Sequence, residues 1–419
     1  MRVALQTWGS DGDIRPMIAL AAGLVRRGHR ATLSIGSVDN KDYRPMCSAV
    51  GVESIAAPAR AHLDVTKWLG EMGRTRNPIT MLRFLHERAL FPSFPEMVAA
   101  AEPMADAADL VIGHFVCAPM RIAAAKRKLP YASVSFWPGL ISDPARAPEG
   151  LPNLGRFLNQ QIWRAAFALI DRAVGEGYRE LFRAHGVQQP FDVMDTCYSP
   201  ELNLIASSGR LWPHARDAGP HRFVGAFTLP GEAEPEPLPE EIERFLAAGE
   251  PPLFLTLGSM GQLEPEASER LLVEAAQVSG LRALVQHDPR RPLPAKVSDR
   301  LQFIGRTNHA ALFPRCVAVL HHGGAGTTHT SLAAGRPAVI CGFMEEQLSW
   351  GRALERSGSG AGVFRYGYSS AKKIGAALGK AGRDLALRAR AAELGALVRA
   401  EEGVEEACRH LEALAAARR

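Results

Sequence analysis

The sequence predicts an α/β protein made of two doubly wound, Rossmann-like domains. Three observations carry this. Strand–turn–helix units recur from the first residues, the rhythm restarts after a Pro/Glu-rich stretch near residue 230, and a Gly-rich turn closes a strand in the second half rather than the first. With 419 residues, 47% of them apolar and 22% charged, the chain can fill two cores of ordinary globular composition. No apolar run reaches the roughly 18–20 residues a bilayer span requires. Met1 to Leu5 reads as a strand rather than a leader, so a cytoplasmic protein is expected. The six cysteines are scattered without a CxxC pair, which points to core packing and predicts no metal site. The net charge of +5 suits an anionic ligand. Because the basic residues are dispersed, no nucleic-acid partner is expected, and at most peripheral membrane contact.

The first unit opens with a strand over Arg2 to Trp8, a loop from Gly9 to Pro16, and a helix from Met17 to Arg27. In that helix Met17, Leu20, Ala21, Leu24 and Val25 recur at helical spacing, and Gly28 ends it. Arg30 to Ile35 is the next strand. Helical patterns around 79–101 and 155–186 flank short strands at Leu110–Ile112 and Tyr131–Val134. Asn203–Ala206 and Arg222–Val224 close this half. The run from Leu229 to Pro239 packs poorly and reads as the linker. Strands then recur at 252–257, 301–304, 317–320 and 338–340, and an Ala/Leu/Arg/Glu-rich helical tail runs from about 370. The expected division is 1–228, a linker at 229–250, a second domain at 251–385, and a tail at 386–419 that can cross back to the first. The two sheets are expected to face each other across a cleft.

The most informative stretch is Val317 to Thr328, an apolar strand followed by His321-His322-Gly323-Gly324-Ala325-Gly326-Thr327-Thr328. A helix that Thr327, Thr328 or the next residues could open would aim backbone N–H groups and its positive dipole end beyond the strand. Glycines let the main chain approach phosphate oxygens closely. The pattern reads as a pyrophosphate cradle.

These residues resemble the nucleotide-sugar-dependent glycosyltransferases of the GT-B fold. The likeness is nearest to the sterol glucosyltransferases and to the bacterial enzymes that glycosylate polyketide, macrolide and glycopeptide antibiotics. It rests on Gly9 to Pro16, on Phe254 to Met260, and above all on Ile304 to Gly362, with Asn308–Pro314 and Glu345–Arg352 inside that block. The resemblance implies Asp13 as the base that takes the acceptor proton, although Asp13 could also cap the helix near Pro16. Asp11 and Asp13 also read as a metal-binding DxD, a weaker alternative. His322 would donate to a phosphate oxygen, with Gly324, Gly326, Thr327 and Thr328 completing the cradle and Gly258 and Ser259 adding to it. His321 is the weaker ligand of the two histidines. Glu346 and Gln347 would bind sugar hydroxyls, an exposed loop being the plain reading, and Glu345 would be a solvated neighbour. Arg306, Thr307 and Asn308 would meet the base, Arg306 standing where plant relatives carry Trp. Thr330 stands where many relatives carry a ribose-binding Glu. His114 would line the acceptor side, support the base, or be a plain loop histidine. Met81, Phe136, Trp137, Trp163 and Phe167 are apolar candidates for an acceptor wall.

What the resemblance implies is an inverting, metal-independent hexosyltransferase acting on a hydroxyl of an apolar small molecule, such as a polyketide, macrolide or sterol. UDP-glucose is the favoured donor and a dTDP-deoxysugar or rhamnose donor the alternative. No cofactor is expected, the nucleotide sugar being a co-substrate, and the protein should be a monomer or weak dimer. A nucleotide-sugar epimerase and a non-enzymatic partner-binding protein are the remote alternatives, since fold alone does not dictate function.

Overall fold

The computed structural model describes residues 1–39, 41–56, 77–213, 219–231, 236–294 and 298–418. The chain divides into two compact units, Met1–Pro230 with Glu402–Arg419, and Gly231–Glu401. Each is built on one sheet whose recorded strand pairs are all parallel.

In the first unit the strands are β1 (Arg2–Gly9), β2 (Arg30–Ser37), β3 (Glu53–Ala56), β4 (Leu110–His114), β5 (Tyr131–Ser135), β6 (Leu202–Ile205) and β7 (His221–Phe223). Their order in the sheet is β3-β2-β1-β4-β5-β6-β7. The second unit holds β8 (Leu253–Leu255), β9 (Ala283–Gln286), β10 (Leu301–Ile304), β11 (Ala318–His321), β12 (Ala338–Gly342) and β13 (Gly360–Arg365), ordered β10-β9-β8-β11-β12-β13. Both orders reverse direction beside their first strand, between β1 and β4 and between β8 and β11. Neighbouring loops diverge at that point, so a crevice opens at the carboxyl ends of the strands. Strands β4, β5, β6, β8, β11 and β12 are buried along their whole length, which explains their unbroken apolar runs.

Several expectations are corrected. The stretch from Gly9 to Pro16 is not a loop: a helix spans Asp11–Arg26, with Pro16 inside it. The amides of Asp13 and Ile14 bond Ser10 O, and the Asp13 carboxylate accepts from Ser10 N at 2.9 Å. This reciprocal cap starts the helix before Pro16, whose ring removes only one later donor. Of the linker predicted at 229–250, residues 232–235 lie outside the described residues. The helix Glu240–Ala247 belongs to the second unit's core through Ile242, Phe245 and Leu246. The tail is three helices, Ala371–Arg383, Leu385–Arg399 and Gly403–Ala417. The last of these belongs to the first compact unit and the other two to the second, the division falling near 402.

That last helix lies against Asp11–Arg26, burying Ala407, Cys408 and Leu411. Gly23 permits the approach, since a Cβ there would stand 2.2 Å from Val404 Cγ1. Arg27 reaches Glu412 at 2.7 Å and Glu405 at 3.2 Å along the seam. All six cysteines are free and buried. Among the described residues no helix is long and apolar enough to cross a membrane. Gly23→Val should force the two helices apart and lower the urea midpoint of the first unit, by about 1–3 kcal/mol of unfolding free energy. An unchanged midpoint would show that the last helix contributes little to holding that unit.

Candidate active site

Each unit places chemical groups at its own switch point. In the first, β1 leads into Asp13 and β4 ends at His114. Asp13 is the third residue of its helix, and the cap described above aims its carboxylate. One oxygen is held by Ser10, and the other lies 4.0 Å from His114 Nε2, beyond hydrogen-bond length. The Asp13 side chain keeps 36% of its surface open, yet protein wraps the rest closely. Burial therefore lifts its pKa to about 6, against the opposing hydrogen bonds from Ser10. A carboxylate poised there can take a proton near neutral pH.

His114 is buried and neutral, its pKa driven down to about 3 by lost hydration, with the Trp8 backbone opposing weakly. Neither ring nitrogen completes a hydrogen bond. The ring stacks on Phe136 at 4.9 Å and 25°, so the acceptor-wall candidate Phe136 supports His114. Trp163 is buried and donates to Asp143 O and Arg146 O, with Phe167 tilted against it at 5.3 Å. Asp11 does not join Asp13. It accepts from Lys41 and Tyr43 at 2.6 and 2.8 Å, which outweigh burial and hold its pKa below the usual value.

In the second unit, the loops after β8 and β11 meet. Gly258 opens a short 3-10 turn, Gly258–Leu263, with φ of +57°, and a Cβ on it would stand 2.9 Å from the His322 ring. A Cβ on Gly324 would stand 2.5 Å from His322 Nε2. The imidazole thus fits between two glycines, and its Nδ1 has no partner. Burial, then the neighbouring His309, lowers its pKa to about 4. A neutral ring of this kind offers one N–H to an anion.

The helix after β11 spans Ala325–Ala333 with Gly324 as its N-cap, earlier than a start at Thr327 or Thr328. Extended backbone at Gly324, with φ of −65° and ψ of 144°, frees the turn to close one step sooner. The amides of Ala325, Gly326 and Thr327 occupy the first turn, where helices leave N–H groups unsatisfied. Thr328 turns inward: its amide and hydroxyl both bond Gly324 O at 2.9 Å, and it is buried. Gly326 is exposed, with nothing within 4 Å of a Cβ built on it. Protein packing does not demand glycine there. Thr330 bonds Gly326 O at 3.0 Å.

His321 turns inward instead. Fully buried, it accepts from Gly323 N at 3.1 Å and lies 3.4 Å from Ser331 Oγ, bracing the turn. Ser259 is exposed beside Gly258. Arg306 is exposed after β10, whereas Asn308 caps the next helix through Ala311 N at 2.8 Å. Thr307 Oγ1 is buried without a partner.

Glu346 and Gln347 are not in a loop but in the first turn of the helix Glu345–Ser357. Gln347 Oε1 accepts from Phe343 N at 2.7 Å and Met344 N at 3.3 Å, so that oxygen is unavailable to a ligand. Glu345 is not a solvated bystander, since it pairs with Arg352 and, at 2.9 Å, with Arg365. Two supports escaped the sequence reading. Thr256 Oγ1 accepts from Gly258 N at 2.9 Å and donates to Gln286 on β9, fixing the turn. His309, stacked on Phe313 at 4.6 Å, adds to the electrostatics of His322. The Thr-x-Gly spacing could have signalled the first.

Two such units, each with functional groups at its switch point, define a GT-B glycosyltransferase. Residues 269–414 match the family described as Erythromycin biosynthesis protein CIII-like, C-terminal domain. The chain is 30% identical, in an alignment of 426 positions that covers 97% of it, to the O-mycaminosyltylonolide 6-deoxyallosyltransferase of Streptomyces fradiae, of which the alignment covers 96%. The chain belongs to this family of macrolide-type, antibiotic-biosynthesis glycosyltransferases. In fold it is similar to the glycotransferase of kitacinnamycin, with a TM-score of 0.72 at 17% identity over 98% of each chain. The spinosyn rhamnosyltransferase SpnG, solved with thymidine diphosphate, gives 0.65 at 15% identity over 98% of this chain and 100% of its own.

Gly326→Ala tests the cradle apart from the fold. Stability should hold or rise, as alanine is the better helix former by about 0.5–1 kcal/mol, while calorimetric affinity for a nucleoside diphosphate should fall at least fivefold. Unchanged affinity would place the phosphates away from this turn.

Proposed function

We propose that this glycosyltransferase moves a 6-deoxyhexose from a dTDP-sugar to a hydroxyl of an apolar, macrolide-like acceptor, with inversion and without a metal ion. The observation that carries the donor half is the His322 imidazole held between Gly258 and Gly324 beside an open helix start. As the acceptor oxygen attacks the anomeric carbon, its proton passes to Asp13. The bond from that carbon to the diphosphate breaks on the opposite face, and its electron pair leaves with the phosphate oxygen. The helix-start amides and His322 stabilise that charge, the role a cation would otherwise fill.

The relatives' names support a deoxysugar: one is a 6-deoxyallosyltransferase, and a fold relative holds thymidine diphosphate. The engaged Gln347 oxygen favours the same reading, because it removes one acceptor for sugar hydroxyls. UDP-glucose is the second reading, favoured by the Glu346 carboxylate at the start of the same helix.

Titration calorimetry with dTDP and with UDP separates the two. The expected result is micromolar binding of dTDP, weaker binding of UDP, and at least a tenfold loss for dTDP in His322→Ala. Failure to bind either nucleotide would refute the reading. For the base, turnover should fall as pH drops through about 6, because the active form of Asp13 is the ionised one and burial raises its pKa to there. Asp13→Asn should lower kcat by about 10²–10⁴-fold. A flat acid limb, or an active Asn variant, would assign the base elsewhere.

A further inference from the structure

The helix Arg156–Ile170 carries apolar side chains on both its inner and its outer side. Its inner side buries Asn159 and Trp163. Its outer side exposes Phe157 at 73%, Leu158 at 47% and Leu169 at 56%, with Ala165 and Ala168 between them. Just before it Leu151 and Leu154 are about half exposed, at 51% and 53%. Solvent-facing helix sides are ordinarily polar, so apolar side chains this exposed, with Gln160, Gln161 and the arginines among them, mark a surface with an occupant.

Within residues 150–170 the only charged side chains are arginines. Arg156, Arg164 and Arg172 are exposed, and no carboxylate pairs with them among the described residues. The acid that follows, Asp171, is taken by Arg179 at 3.0 Å and by Val193 N. Elsewhere in this unit guanidiniums such as Arg27, Arg121 and Arg127 have carboxylate partners.

We propose that this face is a docking surface for an anionic lipid bilayer, with Phe157 and the leucines entering the headgroup–acyl boundary and the three arginines on phosphates. Apolar burial and attraction to anionic headgroups together give such helices their affinity. A second copy of the chain would set three unpaired guanidiniums against three others across a twofold axis. A fluid boundary also needs no matching groove, as a shaped protein partner would. The surface lies within the first unit, and an acceptor that partitions into lipid would be met there. The docking argument itself does not depend on the transferase reading.

The test is co-sedimentation of the full chain with vesicles of phosphatidylcholine containing about one-third phosphatidylglycerol, at low and high salt. Binding should be strong on these vesicles, weak on phosphatidylcholine alone, and reduced by salt. Each Arg→Gln change at 156, 164 or 172 should lower partitioning by about fivefold, and Phe157→Ser with Leu169→Ser at least tenfold. Near-ultraviolet circular dichroism should be unchanged, as these side chains point outward. Absent binding, or equal binding by the variants, would overturn the proposal. So would a wild-type dimer in sedimentation velocity that Phe157→Ser dissolves, which would assign the face to a second copy. No donor or acceptor enters the assay, so its failure leaves the transferase reading untouched.

Discussion

Parallel strand order is the constraint on which the rest depends. Parallel neighbours need crossovers, whose usual right-handed sense puts helices on both faces, and the order reverses once in each sheet. Only there do adjacent loops part, so groups at the ends of β1 and β4, and of β8 and β11, are left beside a crevice rather than under a helix. Asp13 with His114, and Gly258 with His322, occupy these two places. Their chemistry follows from position before residue type.

Residue type then decides what each place can do. Lost hydration acts at both, but in opposite senses on charge: it raises Asp13 toward neutrality and keeps His114 and His322 uncharged. A site of neutral imidazole, backbone amides and a helix dipole is prepared for negative charge without carrying an opposing cation of its own. The close fit of His322 between two glycines matters for the same reason. A ring that cannot swing away needs no reordering when charge develops on the ligand.

Much of this was legible in the sequence, and the misses have physical causes. The strands that are buried on both faces appear as continuous apolar runs, so β4, β5, β11 and β12 were found with small errors at their ends. Three edge or short strands, β3, β9 and β13, were missed. β13, Gly360–Arg365, has two glycines and no alternation. The first helix begins before Pro16 because Ser10 and Asp13 cap it reciprocally, which the reading of Gly9–Pro16 as a loop left out. The linker was extended too far, since Glu240 and Glu241 disguise a helix whose apolar side is Ile242, Phe245 and Leu246. At the site, the pattern set His322 beside a Gly-rich turn, and in the structure its ring packs between Gly258 and Gly324. Directions of side chains did not: Thr328 and His321 face inward, Gln347 closes a cap, and Glu345 finds Arg365 across 20 residues. Such choices are made by tertiary partners that no local spacing records.

The most direct test of the central claim is a crystal structure of the chain with thymidine diphosphate bound. The account places the terminal phosphate oxygens within about 3 Å of the Ala325–Thr327 amides and of a His322 ring nitrogen, as hydrogen bonds require. A diphosphate bound elsewhere on the chain, with the Gly-rich turn untouched, would contradict it.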